Sequence, residues 1–334
     1  MSDPKPPPEP APLRRRDLLR LGVATAAAAA AGRVAAASPT PAPPAAGPWN
    51  PAPAGAMPTR NLGRTGFAVG LFSLGGQGAV EKPDNAAVAV PIVERALDLG
   101  VNYVDTSARY GGPSRWSERY VGEVMRRRRK EAFLATKTHD RTAEGSRKLL
   151  EASLQLLQTD HVDLWQLHAM STMEDVEQVF AKGGAIEAMR RAREEGLTRF
   201  LGITGHADPD VLAEAIRRFP FDTVLMAVNA ADPHRRPFQK VLLPLAVERE
   251  MGIVGMKIPA RGRLVPGALS MREAMRYVLS LPVSTVIVGV DSIAQLEENV
   301  AIARAFTPLG AAQLAELERK AAPVAEQALW FRRA

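Results

Sequence analysis

With 334 residues, 46% of them hydrophobic, the chain is long enough for one large barrel or for two ordinary domains. It contains no cysteine, which removes disulfides, cysteine-ligated zinc, iron–sulfur clusters and thiolate catalysis at one stroke. The formal charge of +7 divides into +3 over residues 1–56 and +4 over residues 57–334, so the body of the chain has no electrostatic signature of a nucleic-acid binder.

Residues 1–37 read as a targeting segment. A proline-rich polar start leads to Arg14-Arg15-Arg16-Asp17-Leu18-Leu19-Arg20, then to a weakly apolar alanine-rich run from Leu21 to Ala31, then to Ala35-Ala36-Ala37 before Ser38. A charged n-region, an apolar h-region and an A-x-A cleavage site stand in the order of a secretory signal. The segment resembles a twin-arginine signal, with Arg15-Arg16 as the pair, Leu18-Leu19 as the apolar positions after it and Arg20 as the trailing base. The plain alternative is a basic disordered tail. The resemblance implies hand-over to the twin-arginine (Tat) export machinery and a periplasmic or secreted mature protein. A membrane-spanning helix is not expected here, because the apolar run falls far short of the roughly 20 residues a bilayer needs. Residues 38–56, dense in proline and alanine, read as an extended linker.

From Met57 the composition becomes that of a folded α/β chain. The glycine spacing of Arg60-Asn-Leu-Gly63-Arg-Thr-Gly66, followed by Phe67-Ala-Val-Gly-Leu-Phe, is that of a hairpin. Eight short β-branched or aromatic-rich runs come next: Leu71–Leu74, Tyr103–Asp105, Phe133–Lys137, Val162–His168, Thr198–Ile203, Thr223–Asn229, Ile253–Lys257 and Val286–Val290. Stretches of helical periodicity separate them, such as Val90, Val93, Ala96, Leu97 and Leu149, Leu150, Leu154, Leu157. Asp208-Pro209 places an acceptor before an N1 proline, and Gly196 and Gly252 are expected to close helices. This alternation predicts an α/β fold over residues 57–334, a (β/α)8 TIM barrel with an N-terminal β-hairpin. The rival, a doubly wound dinucleotide fold, wants G-x-G-x-x-G after its first strand, and the chain has neither that pattern nor a P-loop.

Three of the first four expected strands end in ionisable groups: Asp105, Lys137 and His168, with Tyr110 five positions beyond Asp105. A barrel of parallel strands brings such ends to one face. The stretch Asp105-Thr-Ser-Ala-Arg-Tyr110-Gly111, with Ser117-Glu118 and Gly122 downstream, resembles the Asp-Thr-Ala-x-x-Tyr-Gly and Ser-Glu-x-x-x-Gly motifs of the aldo-keto reductase family. Ser153-Leu154-x-x-Leu157-x-x-Asp160-x-x-Asp163-Leu164-x-x-x-His168 resembles that family's next signature. The resemblance implies a barrel plugged at its bottom by the hairpin and a catalytic tetrad of Asp105, Tyr110, Lys137 and His168. It also implies hydride transfer between NAD(P)(H) and a small-molecule aldehyde or ketone.

The chemistry suits these residue types. Reducing a carbonyl leaves an alkoxide to be protonated, and a free tyrosine with pKa near 10 is a sluggish acid–base group at neutral pH. A lysine beside the phenol favours its phenolate-like state, and a carboxylate holds the ammonium in a dry site. Histidine supplies a hydrogen bond that orients the carbonyl, or shares in the proton relay.

The cofactor side matches the family's pattern less closely. Thr204 and Gly205 stand where a Ser-Asn pair is common, Met226 where Gln is usual, and Met256 or Lys257 in place of a stacking aromatic. The resemblance assigns cofactor contacts to Thr204, Asn229 and Lys257, and to Gly289, Asp291, Ser292, Gln295, Glu298 and Asn299 in the phosphate-binding loop and helix start, an arrangement suited to anions. Asp291 occupies a position where the family often has Arg or Lys for the NADP 2′-phosphate, which tilts the expectation toward NAD; alternatively it caps the last helix, and Arg261 and Arg263 reach the phosphates. Five bases, Arg126 to Lys130, are expected on a solvated outer face, and the five histidines show no metal-ligand spacing. Trp116, Trp165 and Met170 are candidates for the substrate pocket or for rim packing. Substrate choice is expected in the rim loops Ala169–Asp175 and Ala260–Ser270. The alternative to an enzyme is a cofactor-sensing or scaffold barrel. If export is real, free nicotinamide is scarce at the destination, which implies a cofactor carried across and recycled by a redox partner or a second substrate.

Overall fold

The structure, a computed structural model, describes residues 57–332; the targeting segment and linker expected over residues 1–56 lie outside the described residues. The chain begins with two short strands, β1 (Thr59–Asn61) and β2 (Ala68–Gly70), paired antiparallel with Thr59 opposite Gly70. Eight more follow: β3 (Phe72–Gly78), β4 (Tyr103–Asp105), β5 (Phe133–Thr138), β6 (Val162–Leu167), β7 (Thr198–Gly205), β8 (Thr223–Ala227), β9 (Gly252–Met256) and β10 (Thr285–Val290). These pair in parallel and close on themselves, β10 lying between β3 and β9. Their nearly continuous hydrophobic character is that of strands covered on both faces. The outer cover is α1 (Ala86–Asp98), α2 (Trp116–Arg128), α3 (Ala143–Leu156), α4 (Met173–Phe180), α5 (Ala185–Glu194), α6 (Pro209–Arg218), α7 (Phe238–Glu248), α8 (Met271–Leu279) and α9 (Ile293–Arg304). Two further helices, α10 (Ala311–Ala321) and α11 (Ala325–Ala328), end the described chain. The (β/α)8 barrel expected from the sequence is the fold.

The hairpin closes one end of the lumen. Leu62, Phe67 and Val69 pack there against the inward side chains Tyr103, Phe133, Leu164, Leu225, Val254 and Ile287, with the Phe67 and Phe133 ring centroids 4.7 Å apart. Each such side chain removed from water stabilises the fold by about 1.5–3 kcal/mol. Gly63 is held at φ +54, and a Cβ there would lie 2.1 Å from the Gly252 nitrogen, so only glycine lets the turn approach β9 this closely. With this end filled by side chains, the large cavity lies at the opposite end.

Several local expectations need correction. Gly196, at φ +78, does end α5, but Gly252 closes no helix. α7 ends at Arg249 and Glu250, the latter at φ 51, and Gly252 starts β9, where a Cβ would meet Leu62 Cγ at 2.8 Å. The basic run is only partly solvated. Arg127 pairs with Glu94, and Arg128 with Asp98 and Glu131, but half-buried Arg129 reaches Asp163 at 2.8 Å and the Ala132 carbonyl at 2.8 Å, tying α2 to the strands. Part of the expected rim loop Ala169–Asp175 is helix: Thr172 caps α4 by accepting from the Asp175 N–H, and the Asp175 carboxylate returns a bond to the Thr172 N–H.

Candidate active site

At the open end, β4 finishes on Asp105, and β5 delivers Lys137 one residue before its own end. Both side chains are almost completely buried. The Lys137 ammonium donates to the Asp105 carboxylate and, at 2.7 Å, to the Thr106 carbonyl; Gln166 Nε2 of β6 donates to the other Asp105 oxygen at 3.1 Å. Lys137 Nζ lies 4.8 Å from the centre of the Tyr110 ring. Burial pushes the ammonium down, but Asp105 and then Tyr110 more than offset it, so the Lys137 pKa stands above its ordinary value. A buried charge survives only with such pairing.

Tyr110 sits in the loop after β4, its N–H on the Ser107 carbonyl at 3.0 Å. Burial is the largest influence on the phenol and raises its pKa; Lys137 pulls the other way without reversing it. The phenol is therefore protonated at neutral pH, the form that can hand a proton to a developing alkoxide. Lys137 acts in the expected direction, favouring the phenolate-like state, while burial outweighs it.

His168 follows β6 directly, its ring edge-on to Tyr110 with centroids 5.6 Å apart. Its Nδ1 lies 2.9 Å from Ser107 Oγ, and that oxygen also accepts the Arg109 N–H at 3.2 Å. When Ser107 donates its hydroxyl hydrogen to Nδ1, the ring hydrogen sits on Nε2, the tautomer that turns a donor to the cavity. Burial, then Lys137, then Arg109 hold the His168 pKa well below the ordinary histidine value. The ring is thus neutral and presents an N–H donor, as a carbonyl oxygen requires.

These groups line a cavity of about 1160 Å³, above the roughly 300–1,000 Å³ usual for small-molecule sites. The cavity runs from the tetrad to the loop after β10. Thr204, Lys257, Gly289, Asp291, Gln295, Glu298 and Asn299 line it; Asn229 and Ser292 do not. Asn229 donates to the Lys257 carbonyl at 3.0 Å and accepts from the Ala231 N–H at 2.9 Å, so its amide holds backbone rather than ligand. Ser292 caps α9, accepting from the Gln295 N–H at 3.2 Å. Asp291 caps no helix: its carboxylate meets Lys82 Nζ at 2.7 Å. Thr204 Oγ1 accepts from the Ala169 N–H at 2.9 Å and thereby braces the loop after His168.

Lys257, at φ +64, is half-buried beside Arg261 with no hydrogen-bond or ion-pair partner among the described residues, and burial, with Arg261 adding to it, lowers its pKa to about 8. Met256 lines the cavity next to it, whereas Met226 is buried behind the wall. Arg261 also lines it; Arg263 turns away over Trp330, 5.0 Å from that ring. Trp165 and Met170 are fully buried, and Trp116 stacks on Tyr120 at 5.6 Å, so these three are packing residues rather than pocket walls.

The sequence marks the start of β3 at Leu71–Leu74, but not its glycine-rich end as a wall of the cavity. Gly75, Gly76, Gln77, Gly78 and Glu81 line the cavity. A Cβ on Gly76 would meet Ser117 Oγ at 2.4 Å and one on Gly289 would meet the Gln77 carbonyl oxygen at 2.6 Å, so bare backbone forms this wall. The signal was present as Gly75-Gly76-x-Gly78. Ser107, Arg109 and Gln166 were also missed as functional residues.

A model of the aldo/keto reductase family matches residues 67–275. Among characterised relatives, an L-galactose dehydrogenase of Arabidopsis thaliana is 29% identical over 307 residues, covering 79% of this chain and 94% of the relative. An uncharacterized oxidoreductase of Bacillus subtilis is 27% identical over 297 residues, covering 75% and 92%. Among solved structures, the holo form of an aldo-keto reductase from Bacillus halodurans superposes with a TM-score of 0.67 at 26% identity, covering 79% of this chain and 96% of that one.

Proposed function

The chain belongs to the aldo/keto reductase family, and we infer from that premise how it performs the NAD(P)(H)-dependent interconversion of carbonyl and alcohol. One observation carries the assignment of roles: a buried lysine held by Asp105 and the Thr106 carbonyl beside the Tyr110 phenol, with a neutral His168 at the same cavity end. A sensing or scaffold barrel has no use for that arrangement and is not favoured.

The residues present fit a dinucleotide. Bare glycine backbone along β3 and β10, a helix start at α9 and the unpartnered Lys257 ammonium provide a wall, an anion site and a cation. When bound, the nicotinamide supplies or accepts a hydride. The chain does the rest. His168 Nε2–H holds the carbonyl oxygen, Tyr110 gives that oxygen its proton, and Lys137 stabilises the phenolate left behind. In the oxidising direction the phenolate takes the proton back. Tyr110→Phe should lower kcat by roughly 10² or more with little change in cofactor affinity, since general acid catalysis contributes about that factor; full activity in steady-state assays would reject the assignment.

We propose that NAD(H) is preferred to NADP(H). The first turn of α9 carries no base, and Asp291, Gln295 and Glu298 line the cavity there. A 2′-phosphate dianion finds no free cation among them. Dissociation constants decide the point: NADPH bound tenfold more tightly than NADH would be incompatible with it.

We also propose, from Arg15-Arg16 and the apolar run after it, that the protein leaves the cytoplasm by the twin-arginine route. With association near 10⁶ M⁻¹s⁻¹, a Kd of about 1 μM implies release in about a second, so a cofactor carried across must be held at roughly nanomolar Kd or tighter. It must then be recycled in place by a redox partner or a second substrate. Arg15→Lys with Arg16→Lys should leave the protein in the cytoplasm, and an unchanged location in cell fractions would reject the route. Mature protein that is active but arrives empty of nicotinamide would reject the carriage.

A further inference from the structure

One cation at the catalytic end of the cavity lacks a partner. Lys137 is neutralised by Asp105, His168 is neutral, and the Glu81 carboxylate accepts from Gln77 Nε2 at 3.3 Å. Arg109, exposed one residue before Tyr110, lines the cavity as well. Its backbone is fixed by the N–H bond to Ser107 Oγ, but among the described residues its guanidinium has no carboxylate or carbonyl partner. Neighbouring arginines are engaged: Arg115 holds Glu118, and Arg141 reaches Asp175 at 2.9 Å. The cations suited to cofactor phosphates, Lys257 and Arg261, follow β9, three strands around the barrel from β4. Arg109 instead follows β4 and lines the cavity together with Tyr110 and His168.

We propose that Arg109 reads a carboxylate on the substrate, so that the enzyme acts on carbonyl compounds bearing a single negative charge away from the reacting oxygen. A planar guanidinium matches a carboxylate with two parallel hydrogen bonds, which sets orientation as well as affinity. Held between Arg109 at one end and the Tyr110 and His168 donors at the other, such a substrate has one orientation relative to the hydride. A neutral aldehyde lacks the first anchor. This proposal rests on the tetrad reading above.

The test compares para-carboxybenzaldehyde with its methyl ester, which keeps the ring and the reacting group but removes the charge. Wild-type kcat/KM should favour the acid by a few-fold, the scale of an ion pair made by an exposed guanidinium. In Arg109→Gln the ratio should fall close to one, with Arg109→Lys intermediate. Equal rates in the wild type, or a preference that survives Arg109→Gln, would overturn the proposal. Should Arg109→Gln fail to fold, raising ionic strength on the wild type should slow the acid and not the ester, and a flat response overturns it. Turnover of neither compound would count against the tetrad reading instead. The anion reading is then decided without chemistry, by calorimetry of para-(hydroxymethyl)benzoate and its methyl ester on protein saturated with NADH, where equal binding overturns it.

Discussion

The two ends of the cavity are built on opposite plans. At the catalytic end Asp105 and Lys137 are at most 2% exposed, and each buried charge already has its acceptors or donors inside the protein. At the cofactor end Lys257 has no hydrogen-bond or ion-pair partner among the described residues, and the Lys82 and Asp291 side chains are each 57% exposed. Chemistry benefits from dipoles fixed before the reaction, because nothing then reorganises as charge develops. Binding a large anionic ligand calls for groups that the ligand itself completes. One end is therefore sensitive to any loss of a partner, and the other end to pH, salt and ligand.

The sharpest way to break this contrast is to remove a partner at the catalytic end. Asp105→Asn leaves the Lys137 ammonium buried without its counter-charge, and breaking such a pair costs roughly 3–5 kcal/mol. Denaturant unfolding should show a loss of that size, and kcat should fall with it. A variant as stable as the wild type would mean that the pair is not the support described here. Ser107→Ala is subtler. Its effect should be about tenfold on kcat/KM, because the unpaired Nδ1 no longer selects the donor tautomer and a lost buried hydrogen bond carries roughly 1–3 kcal/mol. Nitrogen NMR of the ring should show mixed tautomers in the variant; an unmixed Nε2–H ring would remove Ser107 from the mechanism.

The same contrast explains what could be read in advance. The barrel was legible because its strands are short continuous hydrophobic runs at regular spacing, and Asp105, Tyr110, Lys137 and His168 stood out because the stretches around them resemble the family's motifs. Gly75-Gly76-x-Gly78 went unread because a glycine's role is set by what approaches it, here Ser117, Asp105 and Val290 from distant parts of the chain. Asn229 and Ser292 were assigned to ligand because residue type cannot distinguish an amide or hydroxyl that faces a ligand from one engaged by backbone. Arg129 was read as solvated because its partner Asp163 is far away in sequence.

At the cofactor end the expected effects are smaller and depend on conditions. Burial lowers the Lys257 pKa to about 8. Its charged form, the one that holds a phosphate, is complete below that value and lost above it. Dinucleotide affinity should therefore be level at lower pH and weaken as pH rises through about 8, by at most roughly tenfold per unit for one proton. In Lys257→Met the affinity should be lower throughout and its slope above pH 8 should flatten. Titrations that show the same slope in both proteins would place the phosphate elsewhere.

The smallest effect should come from Lys82. Its ion pair with Asp291 joins the turn after β3 to the loop after β10, but both side chains are well exposed, and such pairs contribute only about 0–1 kcal/mol. Lys82→Ala should therefore leave the unfolding midpoint almost unchanged. What it removes is the cation that masks Asp291, so the bare carboxylate should repel a 2′-phosphate more strongly. The ratio of NADPH to NADH dissociation constants should rise by a few-fold, an effect that shrinks with added salt because exposed charges are screened within about 10 Å at 0.1 M. Asp291→Asn should move the ratio the other way. If both variants leave the ratio where it was, neither member of the pair senses the adenosine ribose, and the preference for one nicotinamide must be sought in Gln295 and Glu298 on α9.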